Sequence, residues 1–343
     1  MLEAFLPYGP DGSSARVRVL DWLAHTGLHA RVHDYAGLPN NAPRTVFRHP
    51  VTVAAAELRT RSLVRRSYDR VLIQRDVSPF TSGRLAERLA ANSRLSVFDF
   101  DDAIMWTPRT GAQRIWSRAE SCLRSVRSVD RVIAGNQLLA EWASEHNSDV
   151  RYIPSCVEPS AYRTKKDYEV RDVPRLVWLG SPSTETYVAA YTDALLAVHA
   201  ATDARLVLIS AGGRSLGALD TMIDRVQWSR EVAASMSAWD IAIAPLVDGP
   251  FERGKCAYKV LQYAAAGLPA IVSPVGANVK VAGDLGYPTP YDSTAWVDVL
   301  VDLVRAAPRE RAEIGVQAES AVSRMYSYAA WATEWLDAVG EVR

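Results

Sequence analysis

Three aspartates lie close together at the end of an apolar segment. Asp99, Asp101 and Asp102 end the stretch "SVFDFDD", whose other residues are mostly β-branched or aromatic. Carboxylates gathered at a strand end can bind a divalent metal ion, hydrogen-bond a polar substrate or move a proton. Because side chains alternate along a strand, we expect Asp99 and Asp101 on one side and Asp102 in the following turn. A metal site, a substrate-facing wall and a helix cap at Asp102 remain as three interpretations.

A glycine-containing loop and a helix in the last third of the chain have the residue types of an anion site. The stretch "PLVDGPFERGKCAYKVLQYAAAGLPAIVSPVG" covers residues 245–276. We predict a helix that begins near Lys255, or at the residue after it, and ends at Gly267. Lys255, Lys259 and Gln262 have the spacing i, i+4, i+7, which predicts that they share one helix face. The N–H groups of a helix N-terminus and two ammonium groups together suit a diphosphate.

The use of lysine supports this interpretation. The chain has 39 basic residues, but only five are lysines, and three of these are Lys255, Lys259 and Lys280. In a chain that prefers arginine, a compact ammonium group indicates a point-charge contact to phosphate rather than a role in solubility.

Elements that alternate between short apolar runs and amphipathic stretches must position these residues. This alternation predicts parallel sheets covered by helices, an α/β fold. It is interrupted once, by the polar and proline-bearing "SCVEPSAYRTKKDYEVRDVP", which predicts a linker. We therefore predict two doubly wound domains, at residues 1–157 and 173–320, with strand carboxyl ends that face a shared cleft. A final helix at residues 321–343 is expected to pack back toward the first domain.

The stretch from Gly254 to Gly276 resembles the donor-binding segment of GT-B glycosyltransferases of family 4. Other segments resemble that family in the same order: "GSSARVRV", "YDRVLIQR", "FDFDDAI", "VIAGNQLLAEWA", "YIPSCVEPSAY", "VWLGSPST" and "WDIAIAPL". The resemblance covers nearly the whole chain. It implies two Rossmann-like domains, with the acceptor bound mainly by the N-terminal domain and a nucleoside diphosphate sugar bound by the C-terminal domain.

The resemblance also implies a set of donor-binding residues. They are Gly12, Ser181, Trp228, Gly254, Lys255, Lys259 and Gln262. Trp228 lies where the family binds the nucleobase, on which an indole can stack. Many members have two glutamates eight positions apart, and here Gly254 and Gln262 occupy those positions. Gln262 can still hydrogen-bond a ribose, while Glu252 or Asp248 is left to supply the first carboxylate. Retention of configuration, which the family implies, is less certain with this departure.

The implied reaction builds negative charge on a departing diphosphate. Lys255, Lys259 and the helix N-terminus are expected to stabilise that charge without a metal ion or other cofactor. Asp101 or Asp102 is expected to orient the acceptor or to assist proton removal, so that these two aspartates and Lys255 form the predicted catalytic set. The predicted acceptor contacts are Ser13, Arg16, Asp99 and Asp101.

Two other functions use similar residues. A nucleotide-sugar 2-epimerase would need an acid/base pair near C2 of the sugar and no acceptor. A non-catalytic nucleotide-sugar-binding protein would be compatible with the missing glutamates. The nucleobase, the sugar, the acceptor and the oligomeric state are left open by these residues.

Composition limits the partners. The 343 residues carry no formal net charge, which disfavours nucleic acid as a partner but leaves room for a local basic patch. No run is long enough for a membrane span, and "MLEAFLPYGP" lacks the pattern of a signal peptide, so we expect a cytoplasmic protein. The three cysteines are far apart, and no disulfide or thiolate metal site is expected. Gly27 is predicted to end a helix between His25 and His29, which separates these histidines from any common helical face.

Overall fold

The computed structural model describes residues 1–10, 12–38, 43–108 and 111–341. The chain divides into two compact units. The first comprises Met1–Ser155, Arg253–Cys256 and Trp331–Arg343, and the second comprises Cys156–Glu252 and Ala257–Ala330. Both units are α/β and contain parallel strands, as the alternating pattern predicts.

The first unit contains a six-stranded sheet in the order β2-β1-β3-β4-β5-β6, with every pair parallel. Its strands are β1 Leu2–Leu6, β2 Ala30–Asp34, β3 Tyr68–Gln74, β4 Ser93–Phe100, β5 Arg131–Ala134 and β6 Val150–Tyr152. The apolar ends of β1, β3 and β4 are buried, which is usual for parallel strands covered on both faces. The strand order reverses between β1 and β3, and such a switch point is where open α/β sheets bind ligands.

The helices of the first unit cover its sheet. They are α1 Ser13–Ala15, α2 Asp21–Thr26, α3 Pro43–Arg48, α4 Pro50–Leu63, α5 Arg84–Ala91, α6 Arg118–Ser128 and α7 Gln137–Ser144. A π-helical turn at Arg16–Leu20 joins α1 to α2. Gly27 ends α2 with φ 67°, so the predicted separation of the histidines is confirmed. Two short 3-10 helices follow β4, at Ile104–Trp106 and Gly111–Arg114.

The second unit contains a five-stranded parallel sheet in the order β11-β10-β7-β8-β9. Its strands are β7 Arg175–Leu179, β8 Arg205–Ser210, β9 Ile223–Gln227, β10 Ile241–Ala244 and β11 Ala270–Val272. Its helices are α8 Glu185–Ala189, α9 Thr192–Thr202, α10 Arg230–Ala234, α11 Pro250–Arg253, α12 Tyr258–Ala265, α13 Ala277–Leu285, α14 Ser293–Arg305 and α15 Pro308–Met325. The switch point lies between β7 and β10, and the loops that follow these two strands begin at Gly180 and Pro245.

The last helix, α16 Tyr328–Ala338, enters the first unit at Trp331. Trp335 is completely buried and stacks on Trp22, with ring centroids 5.3 Å apart and ring planes 2° from parallel. Stacked aromatic side chains of this size contribute through both buried area and ring contact, so the tail is part of the core of the first unit. Among the described residues, no helix has the length and apolar character needed to cross a membrane.

Candidate active site

The carboxylate of Asp99 is bound inside the first unit. Arg18, in the π-helical turn, donates from Nε to Asp99 Oδ1 (3.0 Å) and from Nη2 to Asp99 Oδ2 (2.7 Å). Its Nη1 donates to the carbonyl of Ile153 at 3.0 Å. Neither charged side chain has appreciable exposed surface. Burial would lower the pKa of Arg18, but the Asp99 charge outweighs it and raises that pKa, which keeps the guanidinium ionised.

This geometry corrects the interpretation of Asp99 as an acceptor contact. A carboxylate with no exposed surface, already held by a bidentate guanidinium, has no free face for a second polar ligand. Asp99 instead fixes the turn that follows the first loop of the chain.

Arg75 is the residue that organises the other two aspartates. It follows β3 with φ 62°, and the N–H of Asp76 donates to the carbonyl of Gln74 at 2.7 Å, so Arg75 is the central residue of a γ-turn with positive φ. Its Nε donates to Asp101 Oδ1 at 2.7 Å, and its Nη2 donates to Asp102 Oδ2. Strained backbone of this kind persists where surrounding contacts hold it, often at functional sites.

Asp101 and Asp102 each have a further partner. The hydroxyl of Ser14 donates to Asp101 Oδ2 at 2.9 Å, and the Lys255 ammonium lies 3.5 Å from Asp102 Oδ1. Burial would raise the pKa of Asp102, but the charges of Arg75 and Lys255 outweigh it, and the pKa lies below its ordinary value. Asp102 is therefore an ionised hydrogen-bond acceptor at neutral pH.

Two predicted helix caps are wrong. The 3-10 helix after β4 has Ala103 at its N-cap position and no side-chain cap, so Asp102 does not cap it. Ser14 lies inside α1, where Gly12 is the N-cap residue, and its hydroxyl is used by Asp101. Both side chains are therefore part of the polar cluster rather than of helix ends.

The segment Arg253–Cys256 is fixed to the first unit by close backbone packing. A Cβ atom at Gly254 would lie 2.3 Å from Ala103 Cβ and 2.8 Å from Ala103 N, so only glycine fits there. Asn136 Nδ2 donates to the carbonyls of Gly254 (2.8 Å) and Lys255 (3.2 Å), while its Oδ1 caps α7. Burial raises the pKa of the Cys256 thiol, which lies 3.1 Å from the carbonyl of Asp101. This packing places Lys255 beside Asp102.

The loop after β1 carries the predicted residues Gly12, Ser13 and Arg16. A Cβ atom at Gly12 would lie 2.7 Å from Tyr8 Cβ, so the loop closes tightly on itself at this point. Ser13 is exposed as the first residue of α1, and Arg16 forms an ion pair with Asp21 at 3.2 Å. Ser13 thus keeps an accessible hydroxyl, whereas the charge of Arg16 is at least partly compensated.

The helix α12 in the second unit begins later than predicted. Its first residue is Tyr258 and its N-cap residue is Ala257, which has φ 53°, a conformation that alanine rarely adopts. Lys255 therefore precedes the helix and does not share a helical face with Lys259 and Gln262, so that prediction is wrong. Nothing in the sequence signals a left-handed alanine, which is why the helix start was misplaced. The predicted end is close: α12 ends at Ala265, and Gly267 has φ 65°.

Lys259 and the loop after β7 share one aromatic side chain. The Lys259 Nζ lies 5.8 Å from the ring centroid of the buried Trp178, which is within the range of a cation–π interaction. A Cβ atom at Gly180 would lie 2.2 Å from Trp178 Cη2, so the loop also passes directly over this ring. Ser181 is exposed in that loop, with its Oγ 3.0 Å from Ser183 Oγ. The first turn of α12 and the glycine-serine loop are therefore neighbours.

Three further donor-side residues have defined partners in the second unit. The hydroxyl of Tyr187 donates to Glu252 Oε1 at 2.8 Å, which fixes one of the two carboxylates considered as substitutes for the missing glutamate. Gln262 is buried, and its Nε2 donates to Tyr162 Oη at 3.1 Å, which orients the amide. Trp228 lies between β9 and α10, as predicted, and is partly buried against the core.

Several site residues escaped the sequence analysis. Arg75, Ser14, Asn136 and Tyr187 all bind predicted residues, yet none has a spacing that announces it. Asn136, in "AGNQLL", had a detectable signal, because asparagine just before an apolar helix is a typical N-cap. Within the described residues, no group of three or more His, Cys, Asp or Glu side chains is arranged to hold a metal ion.

Solved structures share this two-unit architecture. The Anabaena protein HepE, solved with UDP and glucose, is 14% identical with a TM-score of 0.70, and the match covers 100% of both chains. WaaG, described as a glycosyltransferase involved in lipopolysaccharide biosynthesis, is 14% identical with a TM-score of 0.67 and the same coverage. TarM from S. aureus is 10% identical with a TM-score of 0.58, over 79% of this chain and 55% of that one. No curated protein sequence matches this chain.

The fold is that of GT-B glycosyltransferases, and the resemblance found in the sequence is confirmed at this level. Residues 173–306, which form most of the second unit, match the model of the family Glycosyl transferases group 1. Over these residues the chain is a member of that family, and it is a transferase enzyme.

Proposed function

We propose that this glycosyltransferase transfers a sugar from a nucleoside diphosphate sugar to a hydroxyl or amine of a small-molecule or glycan acceptor. We propose further that it acts with retention, without a metal ion, and as a member of family 4. The likeness to HepE, which has been solved with UDP-glucose, makes UDP the first nucleotide to test. TarM has been solved with UDP and with glycan and glycerol ligands, which supports an acceptor of that chemistry.

The observation that carries the proposal is the position of Lys259 in the first turn of α12, over Trp178 and next to the Gly180–Ser181 loop. A helix N-terminus supplies N–H groups and partial positive charge, and the ammonium adds a full charge. These groups lie in the region that matches the family model. Together they suit the diphosphate of the donor.

In the proposed reaction, the bond between the anomeric carbon and the diphosphate breaks, and negative charge grows on the leaving oxygen. Lys259 and the N-terminus of α12 are already in place to stabilise that charge. Lys255, two residues before the N-cap Ala257, is the second proposed cation, and Asp102 fixes its ammonium group. Gln262 is proposed to bind the ribose and Trp228 to contact the base. Gly12, Ser181 and Gly254 allow the backbone to approach the donor.

Asp101 and Asp102 are proposed to orient the acceptor. The lowered pKa of Asp102 suits a carboxylate that accepts a hydrogen bond from the acceptor and does not suit a group that delivers a proton. Ser13 and Arg16, near the start of α1, are the other proposed acceptor contacts. The absence of a metal from the proposal rests on charge: Arg75 and Lys255 already compensate the two aspartates.

The proposed compartment is the cytoplasm. All three cysteines are buried and unpaired, as is usual in a reducing environment.

Isothermal titration with UDP tests the donor site. Lys259→Ala should weaken UDP binding about ten- to hundredfold, because a charge-assisted contact to phosphate is lost. Lys280→Ala is the matched control, since Lys280 is exposed on α13 and pairs with Asp284. Equal affinity of the two variants would contradict the assignment.

A turnover assay then separates the possible activities. Release of UDP from UDP-glucose that depends on an added acceptor, and that survives EDTA, supports metal-independent transfer. Isomerisation of the donor without an acceptor would instead identify an epimerase. Tight UDP binding with neither transfer nor slow donor hydrolysis would identify a binding protein.

A further inference from the structure

The outer face of α4 is unusually apolar. Val51 is 81% exposed and Leu58 is 71% exposed. They are seven residues apart, which places them on the same face about 10 Å apart, with Ala54 and Ala55 exposed between them. The opposite face of α4 is also apolar and faces the core through Val53, Ala56, Thr60 and Leu63. A surface helix normally has one apolar stripe, so the second stripe indicates that something covers it.

The residue before this helix pair's junction extends the apolar surface. Phe47, near the end of α3, is 82% exposed, more than either apolar residue of α4. A large aromatic side chain in water is costly unless it contacts an apolar medium. We call Phe47, Val51 and Leu58, with the exposed arginines Arg48, Arg65 and Arg66, the α4 face.

The charge of this part of the chain is one-sided. Residues 43–66 contain six arginines and a single acidic residue, Glu57, in a chain whose formal net charge is zero. Glu57 accepts hydrogen bonds from Tyr35 and Ser78 and pairs with Arg61, so its charge is directed inward. The α4 face therefore carries a positive potential that the overall composition conceals.

We propose that the α4 face docks the enzyme on an anionic phospholipid bilayer. Apolar side chains on a convex helix can enter the boundary between headgroups and acyl chains, and flanking arginines then meet lipid phosphates. A second copy of the chain would bring arginines against arginines, which disfavours self-association through this face. A protein partner would need a groove that matches the helix, whereas a fluid bilayer adapts to it.

Sedimentation with vesicles tests the docking of the full-length chain. Binding is expected to phosphatidylcholine vesicles that contain phosphatidylglycerol, with little binding to pure phosphatidylcholine, and added salt should weaken it. Replacing Phe47, Val51 and Leu58 by glutamine should abolish sedimentation with the vesicles. Arg65→Gln combined with Arg66→Gln should weaken binding at least about tenfold, because each arginine near an anionic surface contributes to the affinity.

The controls keep the test specific. Val316→Gln and Arg309→Gln change exposed residues on α15 and should leave vesicle binding unchanged. The midpoint of thermal unfolding establishes that each variant is folded. Absence of binding to either vesicle would overturn the proposal. Two other results would also overturn it: dimerisation, seen by analytical ultracentrifugation, that the glutamine substitutions abolish, or capture of an acidic protein through this face without vesicle binding.

Discussion

The guanidinium of Arg18 and the carboxylate of Asp99, 81 positions apart in the sequence, are joined by three hydrogen bonds in the interior of the first unit. This pair ties the turn after β1 to the end of β4. The cluster of Ser14, Asp101 and Arg75 lies on the same two elements and on the end of β3. The buried pair therefore supports the position of the polar cluster without taking part in it.

Breaking the buried pair on one side should be more harmful than removing it. Arg18→Met should lower the free energy of unfolding by about 3 to 5 kcal/mol, because the Asp99 charge is left buried and uncompensated. The double variant Arg18→Met, Asp99→Leu should recover a large part of that loss. Urea denaturation measures both values. A double variant less stable than Arg18→Met would contradict this account.

Arg75 should affect activity through the two aspartates it holds. Arg75→Ala should lower kcat at least about tenfold with a smaller change in KM for the donor. Without the Arg75 charge the pKa of Asp102 rises, so the acidic limb of the kcat profile should shift to higher pH. The pH profile of transfer measures the effect.

A second variant at the same position separates charge from backbone strain. Arg75→Gly also removes the guanidinium but tolerates φ 62°, so it should be about 1 kcal/mol more stable than Arg75→Ala. Both variants should be equally inactive. Restored activity in the glycine variant would mean that backbone conformation, and not the guanidinium, determines the rate.

Gly254→Ala tests the close packing of the segment that carries Lys255. The added methyl group would overlap Ala103, so the segment must shift, and we expect lower thermal stability and at least about a tenfold loss of kcat. Gly283→Ala in α13 is the matched control, because no atom lies within 4 Å of its added Cβ. The control should keep full activity and gain about 0.5 to 1 kcal/mol of stability. Equal kinetics in both variants would exclude a catalytic role for this packing.

Asp76 should make stability depend on pH. Its Oδ1 accepts from the N–H groups of Val77 and Ser78, and burial raises its pKa to about 6. Between about pH 4 and pH 6 the folded state thus holds more protons than the unfolded state, so stability falls as the pH rises through this window.

The Asp76→Asn variant isolates this contribution. Relative to the natural chain, it should gain about 1 to 3 kcal/mol above pH 6 and little below pH 4, because asparagine resembles the protonated acid. Chemical denaturation at several pH values measures the difference. A difference that stays constant across the window would show that Asp76 does not titrate there.

The architecture was predictable from the sequence because parallel sheets leave a strong local pattern. Apolar strands alternate with helices, and the polar residues of interest follow strand ends, as in β4 and β7. The partners of those residues were not predictable. Arg18 and Asp99 are brought together only by folding, and "solvated" was as reasonable for Arg18 as "buried".

Backbone conformation limited the site prediction in the same way. Arg75 and Ala257 have positive φ without being glycine, and no local residue pattern specifies that state. The helix of the donor segment was consequently started too early, and Lys255 was placed on the wrong element. The predicted residue types were informative, while their grouping depended on turns that only the tertiary structure defines.

The first unit is assembled from three separate pieces of chain, the last of which begins at Trp331. During synthesis, therefore, Trp22 has to wait for Trp335 until almost the entire polypeptide has left the ribosome. A fragment that stops at Ser155 would expose the surface that this tryptophan covers, and it would be prone to aggregate when expressed alone.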